Sequence, residues 1–147
     1  MNATTQAPPV IVRRLVPAPA NELFDDWLDP GKLAIWMRPA DARKAKVKVD
    51  PRVGGELDVV MLTKSRDLPH KGVYKIIDRP SRLAFTWFSP AAPDHESLVT
   101  LDFMPVGPST EVTLTHEHLA ADDMVERHTE GWTRILELMS ESYAKAA

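Results

Sequence analysis

The sequence predicts an α+β fold, a curved antiparallel sheet of about seven strands around one long C-terminal helix, with two short helices after the first strand. Three observations predict it. One β-rich segment opens the chain and two short helical patterns follow it; a series of strand-like segments of four to nine residues, separated by turn signals, occupies residues 43–118; and the chain closes on an apolar stripe at steps of three and four. A sheet bent around one long helix stays open at one end, so a cavity is expected between them.

Residues 1–8 are small and polar and run into the pair Pro8-Pro9, the composition of a flexible N-terminal arm, leaving residues 9–147 as a single domain. Val10–Val16 is β-rich and bounded by Pro9 and Pro17, which predicts the first strand. From Pro19 onward, Ala20, Leu23, Phe24, Trp27 and Leu28 share one face at helical spacing and predict a helix of about three turns. Asp29 is an N-cap residue placed ahead of Pro30, so a second helix is expected over residues 30–37, carrying Leu33, Trp36 and Met37. Over residues 43–49, Lys44, Lys46 and Lys48 alternate with Ala45, Val47 and Val49; the lysine row reads as a solvated face or a guarded edge.

Val53-Gly54-Gly55 turns the chain into a strand over 56–62 that carries Leu57, Val59 and Met61 on one face, and residues 63–69 read as a polar connection. Strands over 72–77, 83–88, 98–104 and 110–118 follow, each bounded by proline, glycine or serine-rich breakers, the spacing of a meander. The last helix starts at Ala121-Asp122-Asp123 and buries Met124, His128, Trp132, Ile135, Met139 and Tyr143. At about 22 residues it would be about 33 Å long, enough to cross the sheet. Gly131 in its middle costs about 1 kcal/mol relative to alanine. Close approach of a strand or a ligand beside it would compensate.

Composition excludes several classes of function. No cysteine is present, so disulfides, iron–sulfur clusters, thiolate zinc sites and cysteine nucleophiles are out. A net charge of −3 gives no field to gather phosphate backbones, which argues against nucleic acid as a partner. The chain has neither an apolar run long enough to span a membrane nor the opening pattern of a secretion signal, and a cytoplasmic location is expected.

The string from Pro19 to Trp36 resembles the opening of the activator of heat-shock-protein ATPase homologue family, within the START-like or SRPBCC superfamily. Asp50-Pro-Arg-Val-Gly-Gly55 resembles that family's turn before its third strand. Gly72-Val-Tyr-Lys-Ile-Ile-Asp-Arg-Pro80 with Arg82-Leu-Ala-Phe-Thr-Trp87 resembles its central hairpin, and Thr110-Glu-Val-Thr-Leu-Thr-His116 and His128-Thr-Glu-Gly-Trp132 complete the order. The resemblance covers residues 10 to about 143 and implies a helix-grip, Bet v 1-like fold with a pocket under the C-terminal helix. It implies three functional readings: a lipid or hormone carrier, a polyketide cyclase or aromatase, and a co-chaperone. Two departures go with it. The sequence given begins almost directly at the first strand, without a domain of the kind that clamps the chaperone, and Ile76 stands where such sequences often carry a glutamate, which would make one pocket wall apolar.

The inward-facing residues expected to contact a ligand are Trp36, Met61, Tyr74 and Trp87, then Phe103, His116, His128 and Trp132. His116 continues the Val112, Leu114 alternation, and His128 continues the helix stripe toward Trp132; each imidazole could donate and accept a hydrogen bond. No nucleophile elbow, phosphate loop or zinc-protease helix is present, and the spacing of His116, His118 and His128 is not specific to a metal site. The expected partner is therefore a small hydrophobic or aromatic molecule bound without a cofactor or metal. An enzyme using His116 or His128 as acid or base, and stimulation of a chaperone ATPase, are the alternatives. Self-association through Trp27 and a free sheet edge is a further expectation.

Overall fold

The computed structural model describes residues 7–38, 45–90 and 92–146. The expected arm lies, for residues 1–6, outside the described residues, as do Arg43 and Lys44. The element order is β1 (Val10–Val16), α1 (Ala20–Asp26), α2 (Pro30–Trp36), β2 (Ala45–Val49), β3 (Glu56–Leu62), β4 (Asp67–Asp78), β5 (Arg82–Ser89), β6 (Ala92–Val106), β7 (Ser109–Glu117) and α3 (Asp122–Ala146). The seven strands form one antiparallel sheet in the order β1-β7-β6-β5-β4-β3-β2, so α1 and α2 carry the chain from one edge to the other. The α+β helix-grip expectation holds.

Local chemistry sets most boundaries. The Asp29 carboxylate accepts from the Gly31 and Lys32 amides at 2.8 and 3.4 Å and Pro30 occupies the first turn, which starts α2. α1 is shorter than the expected three turns, because Trp27 caps it and the chain then bends into Asp29. β4 begins at Asp67, inside the expected polar connection. Its partner β3 continues to Leu62, and Pro69 sits where β5 has not yet joined, the edge-like position in which a strand tolerates proline. β6 begins at Ala92 rather than near Leu98: Ala92 pairs with Ser89, and the exposed Asp94, His95 and Glu96 lie in the irregularity between that pair and the pair of Trp87 with Ser97. β7 ends at Glu117, because His118 adopts a φ of 63° and leaves the strand.

Two further expectations are corrected. Ile76 follows a register shift in β4 and is 40% exposed on the sheet's outer groove, so it forms no inner wall. Trp27 is 1% exposed and donates its indole N–H to the Met139 sulfur at 3.0 Å, so it is core and offers no surface for self-association. Of the lysine row, Lys46 and Lys48 are exposed on β2, the edge strand of the sheet.

At Gly72, β4 packs directly against the backbone of β5. A Cβ there would meet the Thr86 carbonyl oxygen at 2.1 Å, a backbone atom that cannot swing away. Gly72→Ala is accordingly expected to destabilise the fold by about 1–3 kcal/mol, measured by urea unfolding; an unchanged midpoint would refute this account of the crossing.

The core divides along α3. Its C-terminal half is filled by aromatic rings: Phe24 against Phe103 at 5.5 Å, Trp27 against Trp36 at 5.9 Å and Trp36 against Tyr143 at 6.1 Å. The Tyr143 hydroxyl donates to the Asp26 carboxylate, tying α3 to α1, and burial together with that carboxylate holds the phenol far above its usual pKa. The α1–α2 excursion is thus a plug for one half of the space between sheet and helix, and the other half stays open.

Candidate functional site: an open cleft under the last helix

The open half is a cleft of about 480 Å³ between the first half of α3 and the tips of two hairpins. The β3–β4 hairpin supplies Met61, Arg66, Asp67, Leu68 and His70. The end of β5 supplies Trp87, Ser89 and Pro90, and α3 supplies Arg127, His128, Gly131, Trp132 and Ile135. Trp87 and Trp132 face each other at 5.4 Å between ring centroids, and His70 stacks on Trp87 at 4.9 Å.

Behind this wall runs a closed chain of hydrogen bonds. The Trp132 indole N–H donates to His116 Nδ1 at 3.0 Å, so Nδ1 carries the lone pair and Nε2 carries the proton. His116 Nε2 then donates to Ser97 Oγ at 2.7 Å, and the Ser97 hydroxyl donates to the Trp87 carbonyl at 2.6 Å. His116 is fully buried, and burial, with His128 adding to it, pushes its pKa down to about 3. It is a neutral strut that holds Trp132 upright.

His128 sits one layer nearer the cleft, edge-on to His116 at 4.9 Å. Its Nδ1–H donates to the Met124 carbonyl at 2.8 Å, which leaves Nε2 to accept the Ser89 hydroxyl proton at 3.1 Å. Burial lowers its pKa, and the nearby Arg127 charge lowers it further. His70 donates from Nδ1 to the Leu68 carbonyl at 3.0 Å, and burial pushes it down to about 4. The interior of the cleft is uncharged at neutral pH, with its imidazole N–H groups and the Trp132 indole N–H already committed.

Of the eight residues expected to contact a ligand, Met61, Trp87, His128 and Trp132 line this cleft. His116 lies behind it. Trp36 and Phe103 belong to the filled half, and Tyr74 lies under the sheet against Phe85 at 6.1 Å, its hydroxyl buried and unpaired among the described residues. His118, at a φ of 63° past the end of β7, lines the sheet's outer groove with Ile76 and not the cleft. His70 and Ser89 are buried polar residues of the cleft that the expected set did not include, as it did not include the charged Arg66, Asp67 and Arg127. Carrying the Tyr74 row back by twos through Gly72 reaches His70, and carrying Phe85 and Trp87 forward reaches Ser89.

Gly131 also lines the cleft. No atom lies within 4 Å of a Cβ built on it, so it makes no close approach to a strand. Its missing side chain leaves open space on the helix wall.

A bent seven-stranded sheet gripping a terminal helix, with a cleft between them, defines a START-like helix-grip domain. A family model described as Activator of Hsp90 ATPase homolog 1-like protein matches residues 17–143, and the chain belongs to this family. The AHSA1 protein from Silicibacter pomeroyi is similar at 25% identity with a TM-score of 0.79, over 95% of this chain and 100% of that one. A protein from Chromobacterium violaceum superimposes with a TM-score of 0.81 at 21% identity, over 92% of this chain and 97% of that one. One from Rhodobacter sphaeroides does so with a TM-score of 0.80 at 20% identity, over 97% of each chain. No curated protein matches the chain. Among the described residues no helix is long and apolar enough to cross a membrane.

Proposed function

We propose that residues 9–147 act as one domain that binds a small hydrophobic or aromatic molecule in the cleft between the sheet and the first half of α3. One observation carries this reading: the aromatic packing that fills the core under the second half of α3 stops short of Trp87 and Trp132, whose rings wall a space of about 480 Å³. Apolar walls supply affinity. Inside, Ser89 Oγ still has lone pairs to accept a ligand hydroxyl, whereas the imidazole N–H groups are spent on backbone carbonyls and on Ser97.

A thermal-shift panel of small aromatic compounds tests the reading. A ligand at 100 times its dissociation constant adds about 2.7 kcal/mol of stability. Gly131→Leu projects a side chain into the open space and is expected to abolish that shift. The same variant should unfold no earlier than the parent, because helix propensity favours it by roughly 1 kcal/mol. A ligand shift that survives Gly131→Leu, or a panel with no response, would contradict the proposal.

A second reading rests on His128, whose Nε2 faces a serine hydroxyl at the cleft. A polyketide cyclase-like reaction would use that imidazole as the base toward a carbonyl substrate. His128→Gln would then remove turnover and spare binding; turnover that persisted would exclude it. The family's name supplies a third reading, stimulation of a heat-shock-protein ATPase, decided by an ATPase assay with the chaperone.

A further inference from the structure

In the cleft reading the apolar walls hold the ligand's body, and the charges at the mouth face its other end. Resting on that reading, we propose that the ligand is a small carboxylic acid whose carboxylate is held by Arg66 and Arg127 while its apolar body lies against the wall that Trp87 and Trp132 form.

Among the residues lining the cleft, three are charged: Arg66, Asp67 and Arg127. Their balance is positive in a chain whose formal net charge is −3. Arg66 stands on the connection between β3 and β4 and Arg127 on α3, so the two guanidinium groups rise from different walls. Both are exposed, and the ion pairs among the described residues engage neither of them, nor Asp67. A guanidinium presents a planar fork of donors that matches a carboxylate, and two of them against one aspartate leave a positive charge to be answered.

The interior points the same way by exclusion. A carboxylate needs several donors, and most of those deeper in the cleft are used: Trp132 on His116, His128 on the Met124 carbonyl, His70 on the Leu68 carbonyl and Ser89 on His128, which leaves the single indole N–H of Trp87. An anion pushed inward would leave water for that one neutral donor, or break one of these bonds to gain a second. The acid end therefore stays at the mouth, and an apolar end goes in.

Isothermal titration calorimetry with 1-naphthoate and its neutral counterpart 1-naphthalenemethanol separates the two ideas. The acid is expected to bind at least about tenfold more tightly than the alcohol, the magnitude of one charge-assisted contact. In the double variant Arg66→Gln, Arg127→Gln the ratio should fall to about one, with the circular dichroism spectrum and melting temperature of the parent retained. Equal binding of acid and alcohol by the parent, or a ratio that survives in the double variant, overturns the carboxylate inference and leaves the cleft reading standing. Binding of neither probe overturns both.

Discussion

Acidification from pH 7.5 to pH 5 is expected to cost the folded state about 4 kcal/mol, shared between His70 and His116. Both are buried and held neutral, their pKa values pushed down to about 4 and about 3, whereas an unfolded chain titrates them near 6.5. The sign follows from proton counting. Below pH 6.5 the unfolded state takes up a proton at each site and the folded state does not, so stability is complete above that pH and drains away as the pH falls toward the folded values. His128, also lowered, acts in the same direction. Protonating His116 would set an Nδ1–H against the indole N–H of Trp132, two donors facing each other at 3.0 Å. Urea unfolding at half-unit steps of pH measures the slope, and His116→Gln should remove about half of it, whatever that variant costs at neutral pH. A stability that stays flat from pH 7.5 to 5 would mean that the imidazoles are solvated and that the closed hydrogen-bond chain does not exist.

Trp132→Ala is expected to lose about 3–5 kcal/mol, the range for removing a large buried ring. Trp132 is 3% exposed, touches Trp87 and His116, and spends its N–H on the latter. Two effects are separable. Trp132→Phe keeps most of the ring but strands His116 Nδ1 without a donor, a loss of about 1–3 kcal/mol. If both variants unfolded within 0.5 kcal/mol of the parent, Trp132 would be a loose surface ring and not the wall of a cleft.

The fold was largely legible because its signals are local. Period-two rows place the strands, the helix stripe places α3, and Asp29-Pro30 starts α2 without reference to the rest of the chain. The missed boundaries have local causes too: Pro69 hid the start of β4, and the charged run Asp94, His95, Glu96 hid the start of β6. The site was only half legible. Periodicity says that Trp36, Trp87, Phe103 and Trp132 all face inward, but not where along α3 each lands. That position depends on how α1 and α2 pack beneath the helix, a long-range outcome that puts Trp36 and Phe103 in the plug and leaves Trp87 and Trp132 at the opening. The same limit concealed that His116 and His128, alike in their rows, differ in role. Trp132 and Ser97 close His116 off, while His128 reaches the cleft.

One half of the space under α3 is an open cleft and the other half is packed, a division that ligand binding should reveal. The four tryptophans divide between the halves, Trp87 and Trp132 against Trp27 and Trp36, so their indole N–H resonances report on each. A titration of 15N-labelled protein with 1-naphthalenemethanol is expected to shift the Trp87 and Trp132 indole signals and leave those of Trp27 and Trp36 in place. Shifts at Trp27 and Trp36, or at none of the four, would contradict that division.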